Sequence, residues 1–136
     1  MEVLIALVVL SIGLLGIAAL QGVGLRSSHG AYLTSQASLL AYDMADRIRA
    51  NPTGYPATIN FSTDCPEPPL PTTPLAAADL AEWSCSVENL LPEGTGSIVG
   101  GVSPLDLNMT RYTIRIEWID RQLEADDPSF ELLVDL

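Results

Sequence analysis

The chain opens with a stretch that has no polar face. From Val3 to Leu25 there is no ionisable residue, and Ser11 and Gln21 are the only polar side chains. As a helix, such a run spans about 34 Å, enough for the hydrocarbon core of a bilayer. It is too long for the apolar region of a secretory signal peptide, and its first charge, Glu2, is an acid where such a peptide carries bases. A buried core helix would need further apolar stretches around it, and the chain has none. The pattern predicts a membrane-inserted helix over residues 1–25.

Helical character does not stop there. No Pro interrupts residues 26–51 until Asn51-Pro52, and Leu33, Ala37, Leu40, Met44 and Ile48 recur at spacings of four, three, four and four. That spacing makes one apolar stripe on an otherwise polar helix. Asp43 with Arg47 (i,i+4) and Asp46 with Arg49 (i,i+3) can support the polar face. The residue before a proline avoids helical backbone, so the helix ends at Asn51. One helix of about fifty residues is therefore expected. Its first half seeks lipid or other apolar helices, and its second half seeks a domain to cover the stripe.

Residues 52–136 have a different texture. Pro66, Pro68, Pro69, Pro71 and Pro74 mark an extended connector. Ala76–Leu91 reads as a short helix, followed by a turn at Pro92–Gly96. Gly94-Thr95-Gly96 lacks the Lys and flanking strand of a phosphate loop. In Arg111–Asp120 the residues Tyr112, Ile114, Ile116 and Trp118 alternate with polar ones. Phe130, Leu132, Val134 and Leu136 repeat that period, and Ser97–Val102 is a third candidate strand. Arg121–Ser129 would connect the last two strands. The fold class expected is α+β: a long N-terminal helix with its apolar half protruding and its amphipathic half packed on a small antiparallel sheet.

Composition sharpens this picture. The chain has 136 residues, 17 Asp+Glu, 6 Arg and no Lys, for a net charge of −11. One of those acids is Glu2, so the residues after Leu25 hold 16 acids against 6 Arg, or −10. A domain of that charge with no basic run offers nothing to nucleic acid or anionic headgroups. The lone histidine, His29, sits where the apolar run ends, and no triad can be built around it. Ser103 and the other hydroxyls have no evident base. The two cysteines and one histidine cannot make a structural zinc site. Glu124, Asp126 and Asp127 gather oxygen ligands in the 121–129 loop, but such acids are commonly only solvated. Asn60-Phe61-Ser62 and Asn108-Met109-Thr110 match a glycosylation sequon by chance. No catalytic residue, cofactor site or metal site is read from the sequence, and the chain is expected not to be an enzyme.

Met1-Glu-Val-Leu-Ile-Ala-Leu-Val-Val-Leu-Ser-Ile-Gly-Leu-Leu-Gly16 resembles the N-terminal signature of type IV pilins and pseudopilins. Tyr42–Asn51, Asp79-Leu-Ala-Glu-Trp83 and Tyr112–Asp120 are similar more narrowly to the PilV group of minor pilins. In that family the mature chain opens on a methylated Phe shortly before the acid that corresponds to Glu2. That Phe and the leader before it do not occur in this sequence. On physics alone Glu2 either marks the membrane boundary, sitting among headgroups, or awaits a cation on another chain; the resemblance implies that it neutralises the terminal amine of a neighbouring subunit, so that neither charge stays alone among apolar side chains. It also implies processing by a prepilin peptidase and storage in the inner membrane as a single-pass protein with a periplasmic domain. Assembly with other minor pilins and the major pilin at the pilus tip would follow, with a tip adhesin as a further partner. For a domain outside the cytoplasm, Cys65 and Cys85 are expected to form a disulfide rather than a free pair.

Gly13, Gly16, Gly22 and Gly24 would let apolar helices approach closely, and the resemblance implies that the helix unwinds in a filament at Gly22-Val-Gly24, although the Pro that usually accompanies this in the family does not occur here. The function expected is that of a minor pilin priming type IV pilus assembly. Rival readings are an I-type minor pseudopilin of a type II secretion system, a membrane-anchored binding protein, and an adhesin.

Overall fold

The computed structural model describes residues 1–55, 60–62, 65, 75–120 and 127–136. The proline run at 66–74 and the 121–126 part of the last connection lie outside the described residues, as do Glu124 and Asp126. The element order is α1 (Glu2–Ala50), β1 (Asn60–Ser62), α2 (Leu75–Leu90), β2 (Thr95–Val102), β3 (Thr110–Glu117) and β4 (Ser129–Asp135). This is the α+β, pilin-like arrangement of a long N-terminal helix, a short helix and a small antiparallel sheet.

The chain divides into two compact units, Met1–Tyr32 and Leu33–Leu136. The first is helical from Glu2 onward and runs past the Leu25 limit of the apolar stretch. The helix stays regular through Gly22 and Gly24.

The second unit begins at Leu33, the first buried residue of α1. Helix α1 ends at Ala50 because Pro52 follows. The Asn51 amide still reaches the carbonyls of Arg47 and Ile48, each at 3.2 Å, and the Asn51 carbonyl accepts from Gly54 at 3.0 Å. Helix α2 closes with the Leu91 amide on the Val87 carbonyl at 3.1 Å. Glu93 then takes a left-handed φ of 49°. Gly94 follows because a Cβ there would stand 2.6 Å from the Val87 carbonyl oxygen and 2.7 Å from Leu91 Cβ.

The sheet order is β1-β2-β3-β4, antiparallel throughout. It differs from the sequence expectation in three places, one being that β3 ends at Glu117 instead of running on to Asp120. A fourth strand, β1, pairs Asn60–Ser62 with Val99–Ser97. Strand β2 begins at Thr95, opposite Glu117, so Thr95 and Gly96 are strand residues rather than part of the turn. Gly96 is buried and faces Ile116 across the ladder. The inner face of the sheet contributes Ile98, Tyr112, Ile114, Ile116 and Val134 to one core, joined by Trp118 just past β3 and by Trp83, Val87 and Leu91 from α2 and its end.

Candidate functional site

Two regions carry the structural features relevant to function: the acid-headed helix of the first unit and the set of contacts that clamps α1 into the second.

Residues 1–29 are all exposed, including apolar side chains such as Leu4, Leu15 and Leu20. By length and composition the helix can cross a membrane. Two of its serine hydroxyls are satisfied inside the helix: Ser11 Oγ donates to the Leu7 carbonyl at 2.7 Å and Ser28 Oγ to the Gly24 carbonyl at 2.9 Å. Such back-bonding lets a polar side chain sit in an apolar medium without an orphaned donor. A Cβ at Gly13, Gly16, Gly22 or Gly24 would meet nothing within 4 Å, so no contact within the chain requires these glycines. Glu2 lies in the first turn, where the positive end of the helix dipole favours an acid. Among the described residues it has no ion-pair partner.

In the second unit Leu33, Ala37, Leu40, Met44 and Ile48 are all buried, and Ala41 and Ala45 widen the stripe. Each large member contributes about 1.5–3 kcal/mol through burial. The polar contacts beside the stripe come from α2 and from Tyr55. The buried indole N–H of Trp83 donates to the Leu40 carbonyl at 2.9 Å. Arg47 Nη1 reaches Glu82 Oε2 at 3.2 Å and Asp79 Oδ1 at 3.5 Å, while its Nε holds Asp43 at 2.9 Å. The Tyr55 hydroxyl donates to Asp79 at 3.0 Å, and the Tyr112 hydroxyl donates to the Tyr55 carbonyl at 3.0 Å. Asp79, Glu82 and Trp83 therefore act together as one face of α2 against α1. Burial alone would weaken the charge on Arg47, but hydrogen bonding to Glu82 and the acids around it outweigh that and hold it firmly protonated. Burial, and then the bond to Asp79, push the Tyr55 hydroxyl well above its ordinary value. Burial also raises Tyr112.

Cys65 and Cys85 form a disulfide with 4.5 Å between their Cα atoms, and the Cys65 amide donates to Glu88 at 3.2 Å. At the far side of the sheet Arg111 clasps Asp135 with Nε at 2.8 Å and Nη2 at 2.6 Å. That pairing lowers the Asp135 carboxyl, and a hydrogen bond from Ser103 adds to it. Ser103 is buried, and its Oγ accepts from the Leu105 amide at 3.2 Å, so it braces a loop. His29 is exposed on α1, in the first unit. Among the described residues no three acidic, histidine or cysteine side chains come together as metal ligands. The calcium expectation for residues 121–129 falls mostly on residues outside that set.

No periodicity or motif marks the loop between β2 and β3. Leu105 and Leu107 stand 79% and 86% exposed there, beside exposed Val102 and Met109. The Ser103 amide bonds the Met109 carbonyl at 2.9 Å, and the Asn108 amide bonds Asp106 at 2.9 Å, so the loop presents these side chains from a braced turn.

Comparison with family models, with curated proteins and with solved structures returns no match for the chain.

Proposed function

We propose that the chain is a minor pilin: a subunit held in the inner membrane by the 1–25 helix, with its second unit in the periplasm. It joins other minor pilins in a complex that primes type IV pilus assembly and stays at or near the pilus tip. The observation that carries the reading is Glu2. A lone carboxylate at the head of a 23-residue uncharged helix is costly in an apolar medium unless a cation meets it. No cationic group among the described residues lies within ion-pair distance of Glu2, so a neighbouring chain is the natural source.

The signature-like Met1–Gly16 segment and the long-helix architecture support the same reading. The role is one of assembly rather than catalysis, with prepilin peptidase acting on the precursor and the major pilin and a tip adhesin as later partners. Deleting the gene and scoring piliation, adhesion to a surface and exoprotein secretion separately tests it. Loss of pili with secretion intact is expected. Normal pili with secretion lost would point to a type II pseudopilin, and normal pili with adhesion lost would point to an adhesin.

A further inference from the structure

The chain has four asparagines, and they differ in what their surroundings allow. Asn89 has no hydroxyl residue two places on, and its carboxamide donates to the Cys85 carbonyl at 2.7 Å. Asn51-Pro52-Thr53 has Pro between its outer residues, which bars it as a glycan acceptor. Asn60-Phe61-Ser62 is the whole of β1, with its backbone in register with Val99, Ile98 and Ser97. Asn108-Met109-Thr110 remains. In sequence alone it reads as a chance match like the one at Asn60, but the fold separates the two.

Asn108 is exposed between β2 and β3. Its amide donates to Asp106 Oδ1 at 2.9 Å, and the Met109 amide donates to the Asp106 carbonyl at 3.1 Å. Residues 106–109 thus form a tight turn held by an aspartate, with Asn108 in its third position. The Ser103 amide, on the Met109 carbonyl at 2.9 Å, ties the base of the turn. Among the described residues, no hydrogen bond uses the Asn108 carboxamide. A bulky group joined to Nδ2 therefore displaces no hydrogen bond and no buried side chain. The backbone of Thr110 is held by Leu136, through bonds of 2.7 and 2.9 Å. Leu136 comes far later in the chain, so residues 106–110 are open to an enzyme until β4 pairs with β3.

We propose that Asn108 is an acceptor for asparagine-linked glycosylation. The co-substrate is a glycan carried on a polyprenyl diphosphate. Nδ2 attacks the anomeric carbon, a C–N bond forms as the C–O bond to phosphate breaks, and the lipid diphosphate leaves. Nδ2 gives up one proton, and nothing is oxidised or reduced. Thr110 supplies the hydroxyl two residues on that defines such an acceptor. The Cys65–Cys85 disulfide supports the reading independently, because disulfides persist outside the reducing cytoplasm, where glycans are also transferred to asparagine. The inference rests on export of the second unit and not on the pilus reading.

The test is mass spectrometry of the full chain, extracted from membranes of the cells that naturally make it and digested to peptides. The peptide that holds Asn108 is expected to carry a glycan mass, with fragment ions that place it on that residue. Asn108→Gln and Thr110→Ala, made in the same cells, should each abolish the added mass. Thr110→Ser should keep it, since the hydroxyl is what the transferase reads. Asn60→Gln should leave it unchanged. Far-ultraviolet circular dichroism of Asn108→Gln should match the unsubstituted chain, because the carboxamide holds nothing in place. An Asn108 peptide without glycan from those cells would overturn the proposal. So would a glycan mass that persists in Asn108→Gln, because that assigns the sugar to another residue.

Discussion

The indole N–H of Trp83 and the backbone carbonyl of Leu40, 43 residues apart in sequence, are 2.9 Å apart in a fully buried contact. It fixes α2 against the middle of the amphipathic stretch of α1. Trp83→Phe keeps most of the ring volume but loses the donor. The Leu40 carbonyl sits inside a helix and keeps its own ladder, so the expected loss is about 1 kcal/mol. Trp83→Ala leaves a cavity as well and should cost about 3–5 kcal/mol. Urea unfolding followed by circular dichroism checks both. Equal losses for the two variants would show that the hydrogen bond and the ring volume cannot be separated in this way.

The Cys65–Cys85 bridge closes a span of 20 residues that includes the proline run. Restricting a loop of that size in the unfolded chain is worth about 3 kcal/mol. A Cys65→Ser, Cys85→Ser double variant should unfold at lower urea by that amount. Intact protein should show no free thiol on alkylation without reductant.

Tyr55 and Tyr112 give stability a dependence on alkaline pH. Both hydroxyls are raised in the folded state by burial, and Tyr55 also by its bond to Asp79. Above about pH 10 the unfolded chain releases these protons first, while the folded chain keeps them. Their stabilisation is thus complete below pH 10 and is lost as pH rises towards the folded values. Tyr55→Phe should flatten the alkaline slope of unfolding free energy, and Tyr55→Phe with Tyr112→Phe should flatten it further. An unchanged slope would contradict the packing described for both rings.

Leu105 and Leu107 make little contact within the chain. Changing both to Ser should alter stability by less than about 0.5 kcal/mol each. If these side chains lie at a subunit contact, the same change should lower incorporation into pili while leaving the unfolding midpoint in place.

Much of this molecule is written in local pattern. The 4-3-4-4 spacing from Leu33 to Ile48 identifies the buried face, because a helix repeats every 3.6 residues. The alternation from Tyr112 to Trp118 identifies a strand with one wet face. Local pattern fails where the signal is short, small or distant. Three residues at Asn60–Ser62 are too few to alternate. Ala41 and Ala45 carry too little apolar weight to mark a stripe, although both are buried. Thr95 and Gly96 sit in a glycine-rich stretch that reads as a turn until the ladder with Glu117 and Ile116 is seen. On its own helix face Arg47 shows only Asp43, one turn back. Asp79 and Glu82, 32 and 35 residues away, come into range only through the packing of α2. Glu2 is the most legible candidate of all, since one charge heading the uncharged stretch Val3–Leu25 needs no fold to be seen.

The most direct test of the account is the distribution of a Glu2→Ala variant between membranes and sheared pili, in cells lacking the native copy. Removing the carboxylate leaves the apolar helix intact, so the variant should be recovered from the membrane at the native level. Without the charge that a neighbouring chain's cation would meet, it should be missing from the pilus fraction. Recovery of the variant in sheared pili at the native level would contradict the role assigned to Glu2.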